Sequence, residues 1–197
     1  MMNLAMEDAP RSTLEDHRRK VLDLLATARL FDDRDRRTLR AIEDFVHTHP
    51  DCLLRSNLAG HLTGSAFVVD RDRKRLLLIH HKSLDRWLQP GGHADGDPDL
   101  AAVARREVLE ETGLGDLELL VPGPFDLDIH TIPEKRGVPA HLHYDVRFLL
   151  AAEGSLTLRR AEREVNEAVW VPLKGLAELR LDASVLRPAG RIASLVR

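Results

Sequence analysis

The chain has 197 residues, 43% hydrophobic and 31% charged, with 12 Gly and 10 Pro; this is room for one principal core with an appendage, and it excludes collagen-like, low-complexity and disordered chains. Lys and Arg number 29 against 32 Asp and Glu, a net charge of -3, so no broad footprint for nucleic acid is expected and an anionic substrate must be met locally, by a few Arg or by a metal. A single cysteine, Cys52, excludes an intramolecular disulfide framework and a thiolate-rich zinc site; with no cationic-apolar leader and no apolar run of ~20 residues, the expectation is a cytoplasmic protein without a membrane partner.

In chain order, Leu14, Val21, Leu24, Leu25 and Ala28 recur at helical spacing behind a cap at Ser12 or Thr13. Leu39, Ile42, Phe45 and Val46 form a second periodic run after Asp32-Asp33, ending before Pro50. Residues 1–57 thus read as a helical hairpin prefixed to a main domain over 58–197. Its apolar stripe suits either the covering of a sheet edge or a subunit contact, so a homodimer is one of two readings. The basic residues Arg18, Arg19, Lys20, Arg34, Arg36, Arg37 and Arg40 are interleaved with acids, which gives a solvated face and no DNA-reading helix.

From Gly60 the character changes: HLTGSAFVVD and KRLLLIHH are aliphatic runs around the polar turn DRDRK, a hairpin signature. After Gly91-Gly92 comes the clearest helix, with Asp97 to cap it, Pro98 at its first position and Gly113 to stop it. LELLV, PFDLDIHTI, HLHYDVRFLLAA and EAVWVPL follow as strands. Two short helical stretches, at about 173–180 and 184–195, close the chain, the last broken at Pro188.

On the helix after Pro98, Glu107, Glu110 and Glu111 stand at i, i+3 and i+4, which gathers three carboxylates on one face. Alone, such a run is a solvated face with an Arg106–Glu110 pair. A hard dication such as Mg²⁺ or Mn²⁺ takes oxygen ligands and converts the mutual repulsion into coordination, and the Gly-Gly loop lets backbone come close to a ligand.

These residues carry a resemblance to the Nudix hydrolases, whose box runs Gly, five residues, Glu, seven residues, Arg-Glu-aliphatic-x-Glu-Glu-x-Gly-aliphatic. Gly92, Arg106, Glu107, Val108, Glu110, Glu111, Gly113 and Leu114 all fall in register; the one departure is Pro98, where the first box Glu is expected. Asp97 and Asp99 flank it and either can take over a supporting role. The resemblance implies an α/β/α sandwich with a mixed sheet over roughly 60–180, and hydrolysis of a diphosphate linkage in a nucleoside diphosphate joined to another moiety. It further implies Glu107 and Glu111 as metal ligands, Glu110 as a further ligand or base, Arg106 orienting the acids by salt bridge, and Mg²⁺ or Mn²⁺ as the cofactor.

Outside the box, the resemblance further implies an acid from a loop preceding a Trp-bearing strand; Glu164 and Glu167 stand ahead of Trp170, and Glu164 is the choice for a supplementary ligand or base. His141, His143 and Asp145 alternate on one strand face, and Asp126, Asp128 and His130 on another. These faces can form a second metal site, donate hydrogen bonds to a diphosphate or sugar, or face water. With Gly91, Gly92 and His93 they make up the candidate substrate-binding set for a small phosphorylated molecule. Trp87 can stack on a base or pack on the box helix. Two further readings stay open: a Nudix-like sensor that binds a nucleotide derivative without cleaving it, and an enzyme similar to the isopentenyl-diphosphate isomerases, which hold metal through His and Glu. No motif singles out one substrate.

Overall fold

The computed structural model describes residues 11–135, 137–178 and 181–195. The elements run α1 (Arg11–Leu25), α2 (Asp33–Thr48), β1 (Gly60–Asp70), β2 (Arg75–His81), β3 (Arg86–Leu88), β4 (Gly91–His93), α3 (Leu100–Thr112), β5 (Leu117–Leu119), β6 (Asp126–Ile132), β7 (His141–Ala152), β8 (Val165–Pro172), a 3-10 turn (Leu173–Glu178) and α4 (Ala183–Leu195). Two units can be distinguished: one takes residues up to Gly64, Gly92–Val103 and Gly123–Arg147, the other Ser65–Gly91, Ala104–Pro122 and the chain from Phe148 on. No described helix is long and apolar enough to cross a membrane.

In the first unit the hairpin forms as the periodicity predicts. Asp32 caps α2 by accepting the Asp35 N–H at 3.0 Å, and Asp33 and Asp35 lie in the first turn, where the helix dipole favours acids. α1 begins at Arg11, so the cap expected at Ser12 or Thr13 falls inside the helix instead. Val21, Leu25, Ile42, Phe45 and Val46 are buried. Phe45 stacks on Tyr144 at 3.9 Å and Phe31 meets Phe125 edge-on at 5.6 Å; a fully buried Phe contributes roughly 1.5–3 kcal/mol. The stripe is therefore used within the chain, against β6 and β7. Cys52 is buried among these residues, and burial pushes its thiol up to about 12, which keeps it protonated and inert.

β6 and β7 pair antiparallel, from Asp126 opposite Arg147 to Ile132 opposite His141. β1 runs alongside β7 in the same direction: the Leu142 N–H bonds the carbonyl of Ala59, just before β1, at 3.3 Å, and further along both strands the Thr63 hydroxyl bonds Asp145 at 2.9 Å. The sheet is mixed, as the α/β class requires. Phe125, Leu127, Val146 and Phe148 are apolar and buried, so β7 shows one apolar and one polar face.

In this unit the approach to α3 differs from the expected start. Asp97 accepts the Asp99 N–H at 2.9 Å, and Asp99 accepts the Ala102 N–H at 3.0 Å. Asp99 is the cap, Pro98 precedes the helix, and α3 starts at Leu100. Two aspartates around a proline offer two caps. The one whose own N–H is already taken by an Asx turn is left to cap the helix with its carboxylate.

In the second unit β2 is central, pairing antiparallel with β1, β3 and β8. The β1–β2 turn is held by Asp70, which accepts the Lys74 and Arg75 N–H groups at 2.7 and 2.9 Å; the Arg75 guanidinium beside it keeps its carboxyl low despite burial. Gly113 ends α3 with φ 77 and its N–H on the Leu109 carbonyl; a Cβ there would lie 3.0 Å from that of Arg159, so only glycine fits without strain. At the chain's end Pro188 lies inside α4 and does not break it. In the second turn it forfeits a single backbone bond, and its ring is buried. The expected stretch at 173–180 is a 3-10 turn to Glu178, its last two residues lying outside the described set.

Candidate active site

The acidic cluster lies in the second unit, on the last two turns of α3. Arg106 reaches the Glu107 carboxylate at 3.2 Å and lies 3.9 Å from that of Glu110. Glu110 is the outermost acid, its side chain 63% exposed. Glu111 points inward: it is 2% exposed, and its Oε2 accepts the Gly91 N–H at 3.1 Å. Gly91 is the first residue of β4, and this carboxylate satisfies its backbone donor. Gly91 is thus engaged by Glu111, and no other described donor reaches that carboxylate.

Burial pushes Glu111 up to about 8, helped by the charges of Glu107, Glu164 and Glu110 and opposed by the Gly91 N–H. Glu107 is raised too, first by burial, with Arg106 pulling the other way and Glu110 and Glu164 adding repulsion. Glu164 therefore lies close enough for its charge to be felt by both acids. Its backbone closes a loop, with its carbonyl on the Lys82 N–H at 2.9 Å, and its side chain is exposed. The set offers carboxylate oxygens that range from buried to exposed and a surplus of negative charge, which is the chemistry of a site for a hard dication.

Around the cluster, β2 and β3 end in polar residues that bind one another. His81 accepts the Ser83 and Leu84 N–H groups at 3.1 and 3.2 Å, Lys82 donates to the Glu162 carbonyl, and Trp87 meets His80 edge-on at 5.1 Å.

The remaining sequence candidates belong to the first unit, and its polar face is not solvated. Asp126, Asp128, Asp145 and Arg147 are each under 5% exposed. Arg147 binds Asp145 at 2.7 Å, Asp128 at 3.0 Å and Asp126 at 3.2 Å, and Arg34 of α2 reaches Asp128 at 2.8 Å. Burial works against both signs of charge here. The three carboxylates nevertheless hold Arg147 firmly charged, and His130, Arg147 and Arg34 hold Asp128 well below the usual carboxylate range. Asp145, expected beside His141 and His143, is thereby taken up by Arg147 and Thr63.

The histidines gather at the other end of this face. His61, His93 and His143 present ring nitrogens that all lie within 4.8 Å of one another; among the described residues no other group of three or more His, Cys, Asp or Glu does so. His141 lies 5.1 Å from His61 and 5.3 Å from His143, ring to ring, and His130 is 5.5 Å from His143. Burial lowers His61 and His93 to about 4 and His143 to about 2; positive neighbours such as Arg55 add to it for His61 and His93, and Asp95 opposes it there. All three are neutral at pH 7. His61 was missed in the sequence; its signal was the alternation His61-Leu62-Thr63 at the start of β1, polar residues on the face opposite Leu62.

A NUDIX domain family model matches residues 61–189. A curated protein of Xenopus laevis, nucleoside diphosphate-linked moiety X motif 6, is 42% identical over 59 residues, 28% of this chain. The alignment spans 27% of that relative's own length. Among solved structures, a NUDIX-family hydrolase from Clostridium perfringens superposes with TM-score 0.52 at 21% identity, over 70% of this chain and 98% of that one. A C. elegans Ap4A hydrolase gives 0.52 at 16% identity, over 68% and 96%. The E. coli dihydroneopterin triphosphate pyrophosphohydrolase gives 0.51 at 17% identity, over 66% and 92%. At these identities the likeness is one of fold.

Proposed function

The chain belongs to the NUDIX family, and from that premise we propose that it hydrolyses the phosphoanhydride linkage of a nucleoside diphosphate joined to another moiety, within a domain over 58–197 that carries the 1–57 hairpin as an extension. The observation that carries the reading is the mutually repelling pair of half-buried Glu107 and buried Glu111, both raised from the ordinary glutamate value. The donor set fits a divalent ion, since a dication relieves both the desolvation and the repulsion of these carboxylates. Glu107, Glu111 and Glu110 would hold Mg²⁺ or Mn²⁺. Such an ion, when bound, screens the phosphate charge and lowers the pKa of a coordinated water.

The protein's own groups divide the rest of the work. The Gly91 N–H orients Glu111 and lowers its proton affinity against the pull of burial. Arg106 orients Glu107. Glu164, exposed and close enough for its charge to be felt by Glu107 and Glu111, would accept a proton from attacking water, with Glu110 as the other candidate base. A small phosphorylated molecule is the substrate, and His93, His130, His141 and His143 with Gly92 remain candidates to contact it.

The test is release of phosphate or nucleoside monophosphate from a panel of diphosphate-linked nucleotides, with and without Mg²⁺. Glu111→Gln should lower kcat by at least about 10²-fold, the usual scale for losing such a group. Undiminished activity in that variant would refute the assignment. Tight nucleotide binding without turnover in the wild type would instead assign the sensor role, and conversion of isopentenyl diphosphate the isomerase one.

A further inference from the structure

We propose that His61, His93 and His143 form a binding site for a borderline divalent transition metal of the Zn²⁺, Co²⁺ or Ni²⁺ class, with His141 at its mouth. Three strands deliver the ligands: His61 from β1, His93 from the end of β4 and His143 from β7. The three donor atoms already lie within 4.8 Å of one another. A tetrahedral site with metal–nitrogen bonds of about 2.0 Å places its nitrogens about 3.3 Å apart, so small ring rotations close the difference.

The second observation is an unmet polar need. His61 is 2% exposed, and both its ring nitrogens are shut off from solvent without a hydrogen bond of good geometry, although the Asn57 backbone lies near enough to favour its protonated form. His143 Nε2 is likewise buried without a hydrogen bond. Unpaired buried nitrogens cost on the order of 1–3 kcal/mol each. The chain supplies charges elsewhere on this same face, where Arg147 is met by three aspartates, yet the donors clustered here are all imidazoles, with Asp95 and Arg55 near enough for His61 and His93 to feel their charges. Neutral imidazole nitrogen suits Zn²⁺, Co²⁺ and Ni²⁺ and is a poor ligand for Mg²⁺ or Ca²⁺.

His141 adds the outer feature such sites use. Its Nδ1 donates to the Pro139 carbonyl at 2.8 Å, which fixes the tautomer with Nε2 as the acceptor. Three protein ligands leave a coordination position for water or for an oxygen of a bound anion. The inference is independent of the proposed hydrolysis, because Glu107, Glu110 and Glu111 are not among the ligands.

The test is titration of the full chain, freed of metal by chelator, with Co²⁺ in excess Mg²⁺. The expected result is one equivalent bound, with the strong visible d–d absorption of a low-coordinate nitrogen site, discharged by Zn²⁺. His93→Gln and His143→Gln should weaken binding by more than about 100-fold, while Glu111→Gln leaves it unchanged. Absence of the band in the wild type, or only the weak spectrum of six-coordinate Co²⁺, overturns the proposal, so a variant that fails to fold cannot shelter it. Binding that survives in both histidine variants, or that is lost in Glu111→Gln, overturns it equally.

Discussion

The polar face of the first unit and the acidic turn of the second both bury charge, and they handle it in opposite ways. On the first, three aspartates surround Arg147, and Arg34 adds a second cation to Asp128. Every charge has a counter-charge from the chain itself. On α3, Glu111 is buried and Glu107 half-buried, with Glu110 and Glu164 close enough to raise them, and the protein's offset is one partly exposed Arg106 and one backbone N–H. A network closed on itself holds a sheet together. A cluster left short of positive charge holds a place for something that brings it.

The largest effect that would break this contrast is on the closed network. Arg147→Met should destabilise the protein by about 3–5 kcal/mol, because it strands three buried carboxylates, and urea unfolding measures it. A loss under 1 kcal/mol would mean that water reaches these aspartates. Replacing Asp126, Asp128 and Asp145 with Asn along with Arg147→Met should recover part of the loss, since no buried carboxylate is then stranded and Arg34, the cation that remains, is partly exposed.

The acidic turn should respond the other way. In chelator at pH 8, Glu111→Gln should raise stability, as Gln still accepts the Gly91 N–H and removes a repelled charge. A gain of 1 kcal/mol shifts Tm by about 2–4 °C in a chain of this size. The same substitution that should abolish activity should therefore stabilise the metal-free fold, a trade typical of functional sites. An unchanged or lower Tm would place Glu111 in a network as closed as that of Arg147.

The two regions also set opposite pH slopes. Glu111 has its folded pKa raised to about 8 from an ordinary 4.5, so its contribution is complete below about 4.5 and is lost as pH rises towards 8. His61, His93 and His143 have theirs lowered from 6.5 to about 4, 4 and 2, so their contribution is present above 6.5 and is lost as pH falls towards 4. In metal-free protein, Tm should decline between pH 6.5 and 8 and the decline should vanish in Glu111→Gln. The loss on the acid side should shrink in His143→Gln. Mg²⁺ should remove the alkaline decline, because coordination favours the deprotonated acid.

Much of this was legible in the residues. The box spacing placed Arg106, Glu107, Glu110 and Glu111 on one helix because helical periodicity is local, and Glu164 followed from a loop ahead of Trp170. What could not be read was long-range pairing. His61 sits 82 residues from His143, and nothing in β1 alone says which strand lies beside it. The alternation in β6 and β7 correctly separated a polar face from an apolar one, but a solvated face and a self-neutralised buried one have the same alternation. Only the register that sets Asp126 opposite Arg147 tells them apart.

The smallest effect tests the finest misreading, the start of α3. Asp97 and Asp99 are equally good caps by residue type, and they stand on either side of the proline that replaces a box glutamate. In the structure Asp97 turns the chain by holding the Asp99 N–H, and Asp99 holds that of Ala102. Asp99→Ala should therefore cost about 1 kcal/mol, as the loss of a true helix cap does, and Asp97→Ala about half as much, as the loss of an Asx turn outside the helix. The order, read from thermal unfolding, matters more than the sizes. If Asp97→Ala were the costlier, the helix would begin at Pro98 after all, and Asp99 would be released from capping. If the order holds, both aspartates have work of their own at the helix entrance, and the ion proposed for the cluster must rely on Glu107, Glu110 and Glu111 without them.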